Sequence, residues 1–118
     1  MEKKGMKEGM QFATLTDIIT KAWSDKTTKE YKVLKGLKKE NLRDNMTNTE
    51  LILNMLAEAS TKDISQAVHP ETFEESQKVA QQGGNVARVA LKELEAKTGK
   101  KVLTELNAKS LGQLKSNE

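Results

Sequence analysis

Residues 72–97, TFEESQKVAQQGGNVARVALKELEAK, decide the fold of this 118-residue chain. Thr72 precedes Glu75 by three residues, the spacing of a capping box, in which each side chain accepts a hydrogen bond from the other residue's backbone N–H at a helix start. Gly99 is placed to end the same helix. The stretch therefore predicts one long helix of about residues 72–97. Its apolar side is expected to comprise Val79, Ala80, Gly83, Val86, Ala87, Ala90, Leu91 and Leu94.

Two adjacent glycines, Gly83 and Gly84, lie in the middle of that helix, where each costs about 1 kcal/mol relative to alanine. The apolar residues share one side only if the helix continues through the pair, so we expect close packing to offset the cost. Small residues would let a second helix approach to the short end of the usual range of interaxial distances. The strip is expected to meet either the helix of residues 50–59 or the same strip in a second chain, and a homodimer is favoured. The candidate interface residues are Ala80, Gly83, Ala87 and Ala90.

The spacing of the long helix's capping box recurs twice upstream. Thr27 precedes Glu30, and Thr47 precedes Glu50, so two more helix starts are predicted. After Thr47 an apolar arc follows at helical spacing, and that helix must end before Pro70. The residues of the arc are Leu51, Ile52, Met55, Leu56 and Ala59.

The remaining segments complete a single all-α domain of four to five helices. Thr16 is expected to cap a short helix of about residues 17–23. Residues 1–11 are interpreted as a disordered leader, residues 12–111 as the helical domain and residues 112–118 as a frayed tail. The side chains expected on the buried side of the short helix are Ile18, Ile19, Ala22 and Trp23.

Positive charge is concentrated in one segment of a chain whose net charge is only +3. Residues 26–43 contain seven basic residues and two acidic ones. Their lysines favour either a solvated helix face or a ridge that binds phosphates. With only two arginines in the chain, contacts with nucleic acid would be directed to the backbone and weakly specific. The candidate nucleic-acid-binding residues are Lys29, Lys32, Lys35, Lys38, Lys39 and Arg43.

Composition argues against enzymatic and metal sites. The chain has no cysteine, and His69 is its single histidine, placed in an expected loop beside Pro70. Neither a metal-ligand cluster nor a pair of nucleophile and base can be assembled from these residues. We therefore expect a non-enzymatic protein without a cofactor. No apolar run approaches the roughly 20 residues that a membrane span needs, so a cytoplasmic location is expected.

Two sequence blocks resemble a known family. One contains KGLKK at residues 35–39 and TEL at residues 49–51, and the other is GGNVA at residues 83–87. Together they resemble the C-terminal half of the bacterial DNA-damage-inducible protein D family and related prophage antirepressor (BRO-type) proteins. The resemblance covers about residues 12–111. Between the first two motifs it also includes Leu42, Asp44 and Met46.

The resemblance implies a role in the DNA-damage (SOS) response or in prophage regulation, without enzymatic activity. Family members usually carry an additional N-terminal domain of the antirepressor type, considered the DNA-associated part, and this sequence lacks it. We therefore expect a module that self-associates or docks a protein of DNA repair or phage regulation. The alternative is weak, non-specific binding of DNA through the lysine-rich helix face.

Overall fold

The computed structural model describes residues 2–109, with side chains described from Met10 onward, and it is all-helical over this range. No strand occurs among the described residues. The all-α prediction and the single long helix are confirmed. The elements in chain order are α1 (Glu2–Ser24), α2 (Thr28–Lys35), a 3-10 turn (Arg43–Asn45), α3 (Asn48–Val68) and α4 (Phe73–Thr98).

All three predicted capping boxes are present. At the start of α4, the Thr72 hydroxyl accepts the Glu75 backbone N–H at 3.1 Å, and the Glu75 carboxylate accepts the Thr72 N–H. The starts of α2 and α3 repeat this reciprocal pair. Because each box satisfies two otherwise unpaired donors, the three helix starts are set by short-range sequence alone. The predicted ends are also confirmed, since α3 stops at Val68 and α4 is closed by Gly99.

Helix α1 differs from its prediction. A short helix capped by Thr16 was expected, but α1 runs from Glu2 to Ser24 and includes most of the expected leader. The Thr16 hydroxyl lies inside the helix and donates to the Phe12 carbonyl at 2.9 Å. Threonine can satisfy its hydroxyl in this way within a helix, so its presence does not require a helix start.

Helices α3 and α4 form an antiparallel hairpin joined by residues 69–72, and α1 packs along α4. The glycine pair lies where α4 crosses both neighbours. A Cβ added at Gly83 would lie 2.6 Å from the Thr61 backbone N and Cα. A Cβ added at Gly84 would lie 2.7 Å from the Ile19 carbonyl oxygen. The helix therefore continues through the pair, because each glycine admits a neighbouring helix.

The core lies between the hairpin, α1 and α2. Trp23 is fully buried, as predicted, and its ring lies 6.0 Å from that of Tyr31 between centroids. The Trp23 indole N–H donates to the Asn54 side-chain oxygen at 3.2 Å, which links α1 to α3. Within residues 2–109 no helix has the length and apolarity to cross a membrane. The other buried members of the core are Leu42, Met46, Leu53, Ala57, Ala87 and Leu91.

Candidate interaction surface

The predicted lysine-rich face is not continuous. Helix α2 ends at Lys35, because Gly36 takes a left-handed conformation with φ 72° and closes it. Lys38 and Lys39 therefore lie beyond the helix, where their backbone N–H groups donate to the Glu40 carboxylate. The prediction that the lysines up to residue 39 share one helix face is wrong.

Lys35 is also not available to a ligand. Its side chain is fully buried, and its Nζ lies 2.5 Å from the Glu50 Oε1. The Tyr31 hydroxyl donates to the other oxygen of the same carboxylate, and the Thr47 N–H donates to Oε1 at 2.9 Å. Glu50 therefore has two roles: it caps the start of α3, and it neutralises the buried ammonium group of Lys35. Lys35 must be removed from the candidate phosphate-binding residues.

Arg43, the last of these candidates, forms an ion pair with Glu58 on α3. Four of the six predicted residues remain without an ion pair within the described part of the chain. Glu30 and Glu40 are interspersed among them, which lowers the local positive potential. The remaining cations are Lys29, Lys32, Lys38 and Lys39.

The segment after α4 covers the buried ion pair. Lys35 Nζ donates to the Leu106 carbonyl at 2.7 Å, and the Asn107 amide donates to the Lys35 carbonyl at 3.0 Å. The Ala108 N–H donates to the Asn45 side-chain oxygen at 2.9 Å. This segment thus supplies, through the Leu106 carbonyl, part of the solvation that the lysine loses on burial.

The same buried environment shifts the pKa of Tyr31. Burial raises the pKa of its phenol, and the hydrogen bond to the Glu50 carboxylate raises that pKa further. Both causes favour the neutral phenol, since a phenolate would be poorly solvated and would repel the carboxylate. The hydroxyl is therefore a fixed donor to Glu50 in the folded chain.

The small-residue strip is used inside the chain. Ala80, Gly83 and Ala87 are fully buried in the described structure, and Ala90 packs against the core. The contact of Gly83 with Thr61 identifies the neighbour as α3, just beyond the expected residues 50–59. The favoured prediction, a dimer seam along this strip, is wrong, because α3 and the core occupy the approach that a second chain would need.

A different apolar surface is exposed, and we call it the hairpin face. It consists of large aliphatic side chains on the outside of both hairpin helices. Ile52 on α3 and Val89 on α4 are each 63% exposed. From the sequence, the α3 part of this surface was predicted as an apolar arc, without a statement of what it contacts. Its members are Ile52, Met55, Leu56, Val86 and Val89.

Helix geometry directs most of these side chains away from α1. Helix α1 contacts α4 at Gly84 and α3 at Asn54. At about 100° per residue, Ile52, Leu56, Val86 and Val89 point about 140–160° away from those two contacts. These four side chains therefore point away from α1. Because α3 and α4 are antiparallel and Thr61 contacts Gly83, Leu56 lies at about the same position along the helix axes as Val86 and Val89.

The hairpin face is uncharged. Over residues 49–60 of α3 the charged side chains are Glu50, which is buried, and Glu58, which pairs with Arg43. Over residues 79–91 of α4 the single charge is Arg88, which pairs with Asp25 beside α1. A surface without unpaired charge suits an apolar partner and offers nothing to a polyanion.

A groove of about 690 Å³ lies between α1 and α4, on the other side of the molecule. Its charges are balanced, because Asp17 and Asp25 face Lys21 and Arg88. The Arg88 guanidinium holds the pKa of the Asp25 carboxyl below its usual value through a hydrogen bond. The described residues include no group of three or more side chains placed to hold a metal ion.

Comparison of the chain with protein-family models, with curated proteins and with solved structures finds no match. The resemblance to the DNA-damage-inducible protein D family therefore stays a prediction from residues 35–51 and 83–87. The hairpin face was not identified from the sequence as an exposed surface, although its α3 residues were recognised as one arc. The sequence did contain one indication of which side of α3 is buried. Glu50 and Asn54 are polar residues one turn apart, and both lie on the buried side.

Proposed function

We propose that this chain is a non-enzymatic interaction module that binds a protein through the hairpin face. The observation that carries the proposal is the exposure of five large aliphatic side chains on the outward sides of the two hairpin helices. Single exposed apolar residues are common on monomers, but a contiguous apolar patch usually marks an interaction site. Within residues 49–60 and 79–91 the charges are already paired inside the chain, so a partner need not supply counter-charges at the centre of the face.

The energetics favour an apolar helix or sheet as the bound surface. Full burial of one aliphatic side chain stabilises by about 1.5–3 kcal/mol. Since these five side chains are roughly half exposed, docking would contribute about 1 kcal/mol from each. That total competes with the cost of association, so we expect a reversible complex.

The family resemblance supports a class of partner. It favours a protein of the DNA-damage response or of prophage regulation, in which a DNA-associated protein is held by this helical module. The chain itself would contribute the docking surface and no reaction. This assignment rests on the motifs at residues 35–51 and 83–87, whereas the docking surface rests on the exposure of the hairpin face.

Site-specific photo-crosslinking tests the proposal in the cells that produce the chain. A photoreactive amino acid is introduced in separate variants at Ile52 and Val89, on the hairpin face. The matched control carries it at Val33, which is 71% exposed on α2 and lies outside that face. We expect protein adducts at both hairpin-face positions, with higher yield after DNA damage, and none at Val33.

The mass of the adduct separates the kinds of partner. An adduct of twice the chain's 13.1 kDa would indicate a second copy, and any other mass a different protein. Equal adducts at Val33 and Ile52 would indicate non-specific contact. Neither that result nor an absence of adducts is compatible with docking at the hairpin face.

The alternative function is non-specific binding of nucleic acid, which is favoured by the four lysines that remain without an ion pair, Lys29, Lys32, Lys38 and Lys39. Reversing all four charges should abolish binding to duplex DNA if they contact phosphates. The affinity should also fall with salt, with a logarithmic slope of about −0.9 per phosphate contact. Binding unchanged by the reversal would exclude this surface.

A further inference from the structure

The hairpin face has a pattern that is complementary to itself. On α3 its residues Ile52, Met55 and Leu56, together with the exposed Ala59 next to them, follow one another at helical spacing. A two-fold interface pairs residue i of one copy with residue j of the other, and j with i. If two α3 helices pack antiparallel about an axis between Met55 and Leu56, Ile52 of one copy faces Ala59 of the other.

This pairing places a large side chain opposite a small one on both sides of the axis. Ile52 projects from the surface, whereas the exposed Ala59 leaves space beside it. Large and small residues on facing positions fill an interface to the density of a protein interior. One turn further out, Thr49 faces Lys62, which gives the polar rim that interfaces usually have.

The charge distribution supports a second copy. Two chains of the same net charge, +3, repel only weakly at long range in physiological salt, so the charges at the contact decide the electrostatics of pairing. The central part of the hairpin face presents no unpaired charge, so the symmetric contact brings no like charges together.

We infer that the occupant of the hairpin face is a second copy of this chain, paired antiparallel through α3; this inference rests on the proposed function. The contact is limited to one helix face of each copy, so it belongs with the smaller specific interfaces, which bury roughly 1,200 Å² in total or less. Since the costs of association offset much of the gain from a small contact, we expect a dissociation constant on the order of 10 μM. The dimer therefore forms and dissociates with concentration.

Sedimentation velocity of the purified chain, over concentrations from about tenfold below to fiftyfold above that constant, tests the inference. We expect the chain to change from monomer to dimer across this range. Ile52→Glu and Ala59→Lys should each weaken the dimer by about 100-fold, because each buries a charge opposite an apolar residue. Circular dichroism verifies that both variants, which change exposed positions, keep their helices.

An equimolar mixture of these two variants gives the sharpest measurement. The introduced carboxylate then meets the introduced ammonium across one pair, and the other pair remains Ile52 opposite Ala59. We expect the mixed dimer to recover to within about tenfold of the parent affinity. Val33→Glu, a change outside the hairpin face, should dimerise like the parent.

A parent chain that stays monomeric over the whole range overturns the inference. A dimer that survives Ile52→Glu, or a mixture that does not recover, overturns the antiparallel pairing. These results leave the proposed function standing if the photo-crosslinks at Ile52 and Val89 contain a different protein. If those positions give no adduct in cells, the proposed function fails as well.

Discussion

The two sides of the α3–α4 hairpin both contain apolar residues, such as the buried Leu53 and Leu91 and the exposed Ile52, but they differ in what covers them. The inner side, which faces α1, α2 and the core, contains small and polar residues such as Gly83, Gly84, Asn54 and Glu50. The outer side presents large aliphatic residues such as Ile52 and carries no unpaired charge. Close approach of helices and satisfied polar groups hold the inner side together, whereas the outer side still has apolar area to bury.

The difference teaches that hydrophobic periodicity identifies a stripe but not its partner. Leu51, Ile52, Met55, Leu56 and Ala59 form one arc, as expected. However, α1 and α4 pack on the adjacent arc instead, because the glycines of α4 allow a close approach there. The aliphatic arc is left for an interaction outside the described chain.

The largest effect is expected from breaking the polar contact of the inner side. Lys35→Met leaves the Glu50 carboxylate buried without its cation, and loss of one partner of such a pair costs about 3–5 kcal/mol. Chemical denaturation monitored by circular dichroism measures the free energy of unfolding. The double variant Lys35→Met/Glu50→Leu should recover most of that loss, because two apolar residues fill the volume without charge. A single variant as stable as the parent would show that Lys35 is solvated in the folded chain.

The next effect concerns the helix crossing. Gly83→Leu would place side-chain atoms against the Thr61 backbone, where even a Cβ lies 2.6 Å from Cα. We expect the free energy of unfolding to fall by about 3 kcal/mol, which is the upper end of the usual cost of overpacking. The cost is high because the contacted atoms belong to the Thr61 backbone, which cannot move aside as a side chain can. Gln82→Leu, on the exposed preceding residue, should change stability by less than about 0.5 kcal/mol. Equal effects at the two positions would contradict the crossing at Gly83.

The sequence predicted local structure well because local structure depends on short-range chemistry. The capping boxes at Thr27, Thr47 and Thr72 needed only the residue three positions later. The continuity of α4 through Gly83 followed from the phase of its apolar residues. These features require no knowledge of which helices become neighbours.

Long-range packing could not be predicted in the same way. Lys35 lies one turn after Tyr31, about 40° away around α2, so its burial was compatible with the pattern. The decisive fact is that Glu50, fifteen residues on, meets both side chains. The capping box alone explained why a glutamate stands at position 50, so nothing in the sequence indicated that Glu50 also accepts hydrogen bonds from Tyr31 and Lys35. The exposure of the hairpin face likewise depends on where α1 packs.

Alkaline pH gives a smaller effect on the inner side. The pKa of Tyr31 is raised in the folded chain, so its stabilising contribution is complete below the unfolded pKa of about 10 and declines above it. By about pH 11 we expect a loss of about 1.4 kcal/mol that Tyr31→Phe does not show. Since Tyr31 is the single tyrosine, phenolate absorbance reports its ionisation directly. Ionisation near pH 10 without unfolding would contradict its burial against Glu50.

The smallest effect is expected on the outer side, and adjacent residues of α3 provide a matched pair. Ile52 is 63% exposed and Leu53 is 5% exposed, so two adjacent residues of the same helix turn compare an exposed position with a buried one. Leu53→Ala should cost about 3 kcal/mol, because it empties part of the core. Ile52→Ala should change the free energy of unfolding by less than about 0.5 kcal/mol, since alanine's better helix propensity offsets the little area that is lost. Both are measured by denaturation at a protein concentration well below the expected dimer dissociation constant, so that association does not contribute. A cost at Ile52 close to that at Leu53 would mean that another part of the same chain covers the hairpin face, and no surface would remain there for a second copy.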